Sequence, residues 1–221
     1  MSMSRRPLLV AFPFLASVVA AQPSAAAVAI VEAAAAGDRA RVEKLLADGA
    51  AVNARDARGR NAVLAATQGA HVELAKFLIA RGADVNAQDD IRDSAFLLAG
   101  ARGHMDIVRA AVGAGANLKS TNRYGGTALI PACHYGHVET VRYLLTTAID
   151  VNHVNNLGWT ALLEAVILGD GGAAHAEIVR LLVGAKADVN LADRQGVTPL
   201  RHAEQRGQSR IAGMLRAAGA R

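Results

Sequence analysis

Equivalent side chains return along this chain on a fixed beat. Asn61, Ser94, Thr127, Thr160 and Thr198 are separated by 33, 33, 33 and 38 residues, and His71, His104, His137 and His175 keep the same steps. A third column holds Asn53, Asn86, Asn152 and Asn190, with Lys119 in the remaining slot. A period of this length belongs to stacked small units that bury their apolar sides against their neighbours. The chain is therefore expected to build one elongated body of about six helix pairs over residues 25–221. The later units fall at 58–88, 91–121, 124–154, 157–192 and 195–221.

Each column has a physical job. A Thr, Ser or Asn at the first position can bond its side-chain oxygen to free N–H groups at a helix start, worth about 0.5–2 kcal/mol. At Thr198-Pro199 the proline adds a residue whose missing N–H costs nothing there. Gly103, Gly136, Gly169 and Gly207 stand where first helices would end in the left-handed conformation, and Gly49, Gly82 and Gly115 do so for second helices. Ala148 and Lys186 take the last slot in two units, so those joints are expected to be the least regular. The second helices carry apolar residues at helical spacing, as at Val138, Val141, Leu144 and Leu145, with Glu139 and Arg142 turned outward. In the first unit Val28 occupies the capping slot, in keeping with the irregularity of terminal repeats.

The string Gly125-x-Thr127-Ala128-Leu129, then Gly136-His137-x-Glu139, Leu144-Leu145 and Asp150-Val151-Asn152, resembles the ankyrin repeat. The resemblance implies an all-α solenoid of stacked helix pairs with β-hairpin fingers between repeats, and a concave face made by fingers and first helices. It also implies a protein-binding scaffold without chemistry of its own, and so no enzyme, cofactor or metal. The chain departs from the family at the histidine that usually ends the Thr-Pro-Leu-His string, where Leu64, Leu97, Ile130, Leu163 and Arg201 stand instead. That removes a polar link, which puts finger rigidity in question.

Residues 1–24 read as a separate object. Arg5 and Arg6 precede an uncharged stretch over 8–21, followed by Gln22, Pro23 and an alanine run, the pattern of an export signal. The stretch contains Pro13 and is shorter than the roughly 20 residues that span a bilayer. A periplasmic or secreted protein, without a membrane span once the signal is removed, is the expectation. Both general and twin-arginine export stay open, because paired arginines occur in either kind of signal. Cys133 is the single cysteine, so no internal disulfide can form. The formal charge is +5, two of it from Arg5 and Arg6, and the remaining charges alternate in sign along the helices. Dispersed charge of this kind argues against nucleic acid as a partner.

Catalytic and metal chemistry find little support. Cys133, His134 and His137 lie close in sequence, but His137 belongs to the histidine column and Cys133 to a small buried slot shared with Thr67 and Val166. A metal needs three or four convergent ligands, and a nucleophile needs an oriented base. Gly-Gly pairs at 125–126 and 171–172 lack the lysine and strand–helix context of a phosphate loop. Residues 170–174 exceed the period and are expected to lengthen the turn inside the fifth unit.

The sharpest signal falls three residues before each cap. Arg58, Ile91, Tyr124, Leu157 and Gln195 stand there, so three successive units place Ile, Tyr and Leu at solvent-facing tips, with Trp159 nearby. The family resemblance turns Arg102, His134, Tyr135, Ile167, Leu168 and Arg206 toward the same groove. Aromatics and arginines amid apolar contacts are the composition of interface hot spots. The candidate protein-binding residues are therefore Arg58, Ile91, Arg102, Arg123, Tyr124, His134, Tyr135, Leu157 and Trp159. A monomeric scaffold that holds a protein partner is the first reading. An inhibitor or immunity-type protein that occludes an enzyme or toxin is the alternative.

Overall fold

The structure is a computed structural model that describes residues 22–221. The expected export signal over 1–24 therefore lies, for residues 1–21, outside the described residues. Twelve helices among the described residues form six antiparallel pairs. The inner helices are α1 (Ala25–Ala35), α3 (Ala62–Gln68), α5 (Ala95–Arg102), α7 (Leu129–His134), α9 (Ala161–Ile167) and α11 (Pro199–Gln205). The outer helices are α2 (Arg39–Ala47), α4 (Val72–Ala80), α6 (Met105–Gly113), α8 (Val138–Leu144), α10 (Ala173–Gly184) and α12 (Ser209–Ala217). Each inner helix packs on its own outer helix and on the inner helix of the next unit, which makes the solenoid anticipated from the period. No described helix is long and apolar enough to cross a membrane.

Inner helices stack closely because their contact faces are small. Ala62, Ala65, Ala66, Ala95, Ala99, Ala128, Ala132, Ala161 and Ala165 are all buried. The slot held by Thr67, Cys133 and Val166 is filled by Gly100 in the third unit, where a Cβ would come within 2.8 Å of the Ala128 Cβ. That position admits only glycine unless α5 and α7 separate. Cys133 is packing in this stack, fully buried, and burial pushes its thiol pKa well up.

Four of the five expected caps form. Asn61, Ser94, Thr160 and Thr198 accept the N–H groups of Leu64, Leu97, Leu163 and Arg201 at 3.0–3.4 Å. Thr127 does not cap, and its hydroxyl is buried without a partner. Pro131, four residues on, has no N–H for the Thr127 carbonyl, and the Ile130 N–H goes to that carbonyl instead. The first unit is also corrected: Ser24, not the Val28 slot, caps α1, and Val28 lies inside the helix.

Three further expectations change. Gly169 does not adopt a left-handed backbone; Gly171, inside the insertion, does so at φ 72°. The insertion is also only partly a turn, since α10 starts at Ala173 and takes in His175, whereas His71, His104 and His137 sit just before their helices. Ala70 takes the left-handed conformation at φ 57° despite its side chain. Of the two joints expected to be irregular, Lys186 keeps the regular backbone at φ 67° and bears the strain, while Ala148 escapes it. There α8 stops at Leu144, and the Thr146 and Thr147 hydroxyls donate to the Tyr143 and Leu144 carbonyls at 2.7 and 2.5 Å.

The fingers are turns with almost no strand, and only Arg55 and Asn61 form a β-bridge among the described residues. Their shape comes from a column at Asp56, Asp89, Asn122, Asn155 and Asp193. One side-chain oxygen of each accepts the N–H groups two and four residues ahead, at 2.9–3.1 Å. Asx turns therefore hold every finger without the missing histidine. The asparagine column ties unit to unit. Asn86 donates to the Gly115 carbonyl at 3.2 Å and accepts the Asn117 N–H at 2.7 Å, and Asn53 repeats the pattern on Gly82 and Asp84. Lys119 cannot do so, having no acceptor. Asn86→Ala is expected to lose about 1–3 kcal/mol in a urea titration, because two loop groups lose their partner. Lys119→Ala should stay within about 0.5 kcal/mol of the parent.

Candidate functional site

The Asx turns decide which side chains reach solvent at the tips. In each turn the residue two after the Asp or Asn projects outward, and at three neighbouring fingers this residue is Ile91, Tyr124 or Leu157, all exposed. From the inner helices come Tyr135, directly after α7, and Leu168, directly after α9, also exposed. Tyr124 is 53% and Tyr135 60% accessible, which is high for tyrosines in a folded chain. Both are held in place from one side. The Arg123 guanidinium lies 4.8 Å from the Tyr124 ring centroid, and His134 stacks on Tyr135 at 4.2 Å and 12°.

Tyr124 and Tyr135 form a shared ridge between two hollows. The larger, about 730 Å³, is lined by Ile91, Asp93, Leu98, Arg102, His104, Arg123 and His137. The smaller, about 260 Å³, is lined by Ile130, His134, Asn155, Leu157, Glu164 and Leu168. Two arginines give the larger hollow a positive rim. Asp93, in its wall, has its carboxyl pKa raised by burial and then by the nearby Asp89.

The column histidines tie unit to unit. His71 Nε2 donates to the Ala35 carbonyl at 3.0 Å, His137 to Ala101 at 3.2 Å and His175 to His134 at 2.9 Å, each reaching back one unit. His104 breaks the series: its Nε2 is buried without a partner. The carbonyl it would meet, that of Gln68, already accepts Arg102 Nη1 at 2.7 Å. Burial, with Arg102 and His137 nearby, lowers the His104 pKa.

Glu164 is the unusual group of the smaller hollow. It sits on α9 among apolar residues and is only 6% accessible. Asn155 Nδ2 donates to its Oε1 at 3.0 Å, while Oε2 lies 3.7 Å from His134 Nδ1, too far for a hydrogen bond. Burial raises the Glu164 pKa to about 7, against the lowering effect of the Asn155 bond. Burial, with His175 nearby, lowers the His134 pKa, so the imidazole supplies no full countercharge at neutral pH.

Family comparison agrees with this architecture. A family model described as ankyrin repeats in three copies matches residues 95–193 and 150–221, and one for a single ankyrin repeat matches 58–90. The chain belongs to the ankyrin-repeat family. Its solenoid superposes on an ankyrin repeat domain from Acinetobacter baumannii AYE with TM-score 0.84 at 52% identity, covering 87% of this chain and 98% of that one. It superposes on the ankyrin repeat protein EF0377 with TM-score 0.81 at 38% identity, covering 85% and 96%. YahD of Escherichia coli (strain K12), described as an ankyrin repeat protein, is 47% identical over 57 residues, 26% of this chain and 28% of YahD. The match thus spans about a quarter of that relative's length. Ankyrin repeats are a general protein–protein interaction module.

In this ankyrin-repeat stack seven of the nine candidate residues converge. Ile91, Arg102, Arg123, Tyr124 and Tyr135 line the larger hollow, and Tyr124, Tyr135, His134 and Leu157 the smaller. Arg58 is exposed on the first finger and Trp159 is half-buried; neither lines a hollow. Glu164, Asn155, Asp93 and Leu98 were missed as lining residues. The signal for Glu164 lay in the repeat alignment, where Ala65, Leu98, Pro131 and His202 hold its position; the column's other carboxylate, Glu32, stands in the terminal unit and is exposed, so Glu164 is the one enclosed between two units.

The pH consequence has a definite sign. With its folded pKa raised from 4.5 to about 7, Glu164 binds more protons folded than unfolded between those values, so its contribution to stability falls as pH rises through that window. Glu164→Gln, which keeps the Asn155 bond, should flatten the slope there and raise stability at pH 8 by up to about 3 kcal/mol. Urea midpoints at pH 5 and pH 8 for both proteins measure it.

Proposed function

We propose that this protein is an exported, monomeric, non-catalytic scaffold that holds another protein against the ridge of Tyr124 and Tyr135. The observation that carries the reading is a continuous exposed run of Ile91, Tyr124, Tyr135, Leu157 and Leu168 flanked by Arg102 and Arg123. Contiguous exposed apolar surface on a folded chain marks a contact site, and tyrosine with arginine supplies most of the energy at such contacts. The support is local as well. Both tyrosines are pinned on one face by a neighbouring side chain, so little rotamer freedom remains to be lost on binding. The site is also presented by turns whose backbone groups are bonded within each finger, a firm surface for shape complementarity.

Export is supported by the arginine pair and the uncharged stretch over 8–21, the pattern of an export signal, and on this reading the partner is met in the periplasm or outside the cell. The reading of no catalysis is supported by how the cysteine and three of the column histidines are engaged. Cys133 is enclosed in the helix stack, and His71, His137 and His175 bond to carbonyls of the preceding unit.

Affinity capture from a periplasmic extract with the full chain, followed by titration of the captured protein, tests this reading. The combined Tyr124→Ala and Tyr135→Ala change should weaken binding about 30-fold or more. The thermal midpoint should move by only about 2 °C, because exposed side chains contribute little to stability. Undiminished capture, or collapse of the midpoint, would refute it.

A further inference from the structure

The smaller hollow poses a problem that packing alone does not answer. A carboxyl stands on the inner helix α9 where an apolar residue would serve the stack, and burial alone is enough to push its pKa to about 7. Asn155, in the finger that precedes α9, satisfies one oxygen and leaves the other turned toward His134 at 3.7 Å. At the equivalent positions one repeat on, His202 Nε2 lies 2.7 Å from Asp193 Oδ2. Glu164 has the amide of Asn155 at the equivalent place and, among the described residues, no basic group within hydrogen-bond distance. Among the described residues only His134 brings a basic group within 4.0 Å of it, and that imidazole is held toward its neutral form by burial.

The hollow around it has a shape and a chemistry. At about 260 Å³ it admits one side chain and no folded segment, and its walls are Tyr124, Tyr135, Leu157 and Leu168. Apolar and aromatic walls with a single carboxylate at depth match the stem and head of a long basic side chain. The methylenes lie along the leucines, the cation meets the ring faces, and the carboxylate neutralises it.

We propose that this hollow is a socket for one cationic side chain, arginine or lysine, of the protein held in the groove. The inference rests on the groove reading and specifies what the partner must present: a basic residue projecting beside the contact with Tyr124 and Tyr135. The cation supplies the charge that Glu164 lacks, so the buried carboxyl is tolerated in the free protein and satisfied in the complex. The socket lies beside a hollow rimmed by Arg102 and Arg123, so the groove sorts partners by sign of charge along its length.

Solution NMR of the 15N-labelled full chain tests the socket with two probes of matched shape, N-acetylarginine methylamide and its uncharged citrulline counterpart. The arginine probe is expected to shift the amide signals of His134, Leu157 and Leu168, with citrulline binding about tenfold more weakly. Glu164→Gln should reduce the arginine affinity to the citrulline level, while Glu139→Gln on the outer helix leaves it unchanged. Equal binding of the two probes, an arginine affinity untouched by Glu164→Gln, or no shift at the hollow would overturn the socket. Failure of the groove reading looks different: the tyrosine double variant would capture the partner as well as the parent does, whatever the probes do.

Discussion

Among the described residues none of the helices is long enough to stand alone. They run from 6 to 12 residues, and isolated helices shorter than about 12–15 are marginal in water. Each exists because a neighbouring unit of like design covers its apolar side, and the alanine faces of the inner helices allow that neighbour to come close. The backbone follows the same logic. Carbonyls left free at the ends of inner helices are met by a histidine of the next unit, and those ending outer helices by an asparagine of the preceding one. Stability is thus a sum of nearest-neighbour terms, and one absent bond weakens one seam and leaves the others intact.

Four of the departures from the repeat rules lie together. Thr127 lacks its capping bond, Lys119 cannot bridge, Ala148 leaves the left-handed position, and His104 has lost its carbonyl to Arg102. All belong to the third and fourth units, which also supply Ile91, Tyr124 and Tyr135. Local conflicts that collect beside an exposed aromatic ridge fit a region shaped by binding as well as by folding. Arg102 shows how the two meet: one guanidinium both lines the larger hollow and displaces the histidine that would have tied the stack.

Much of the proposed groove was legible before any coordinates. The tip positions followed from counting back from each cap, since every repeat places the same residue at the same point of its turn. Glu164 escaped because its neighbours in sequence look like an ordinary apolar helix; the repeat column holds a second carboxylate, Glu32, but that one is exposed in the terminal unit while Glu164 is enclosed between two units. Trp159, placed near the Leu157 tip by the sequence, is half-buried and lines neither hollow, a placement that the period alone does not set.

By itself the amino-acid order determined the solenoid, the number of helix pairs and the placement of Ile91, Tyr124 and Leu157 at neighbouring tips, because these depend only on period and local chemistry. Which carbonyl Arg102 takes, that Thr127 goes unbonded, and that Glu164 faces a hollow without a cation were decided by the tertiary structure. Those outcomes hinge on competition between groups 33 or more residues apart, and the winner is set by distances that exist only once the units are stacked.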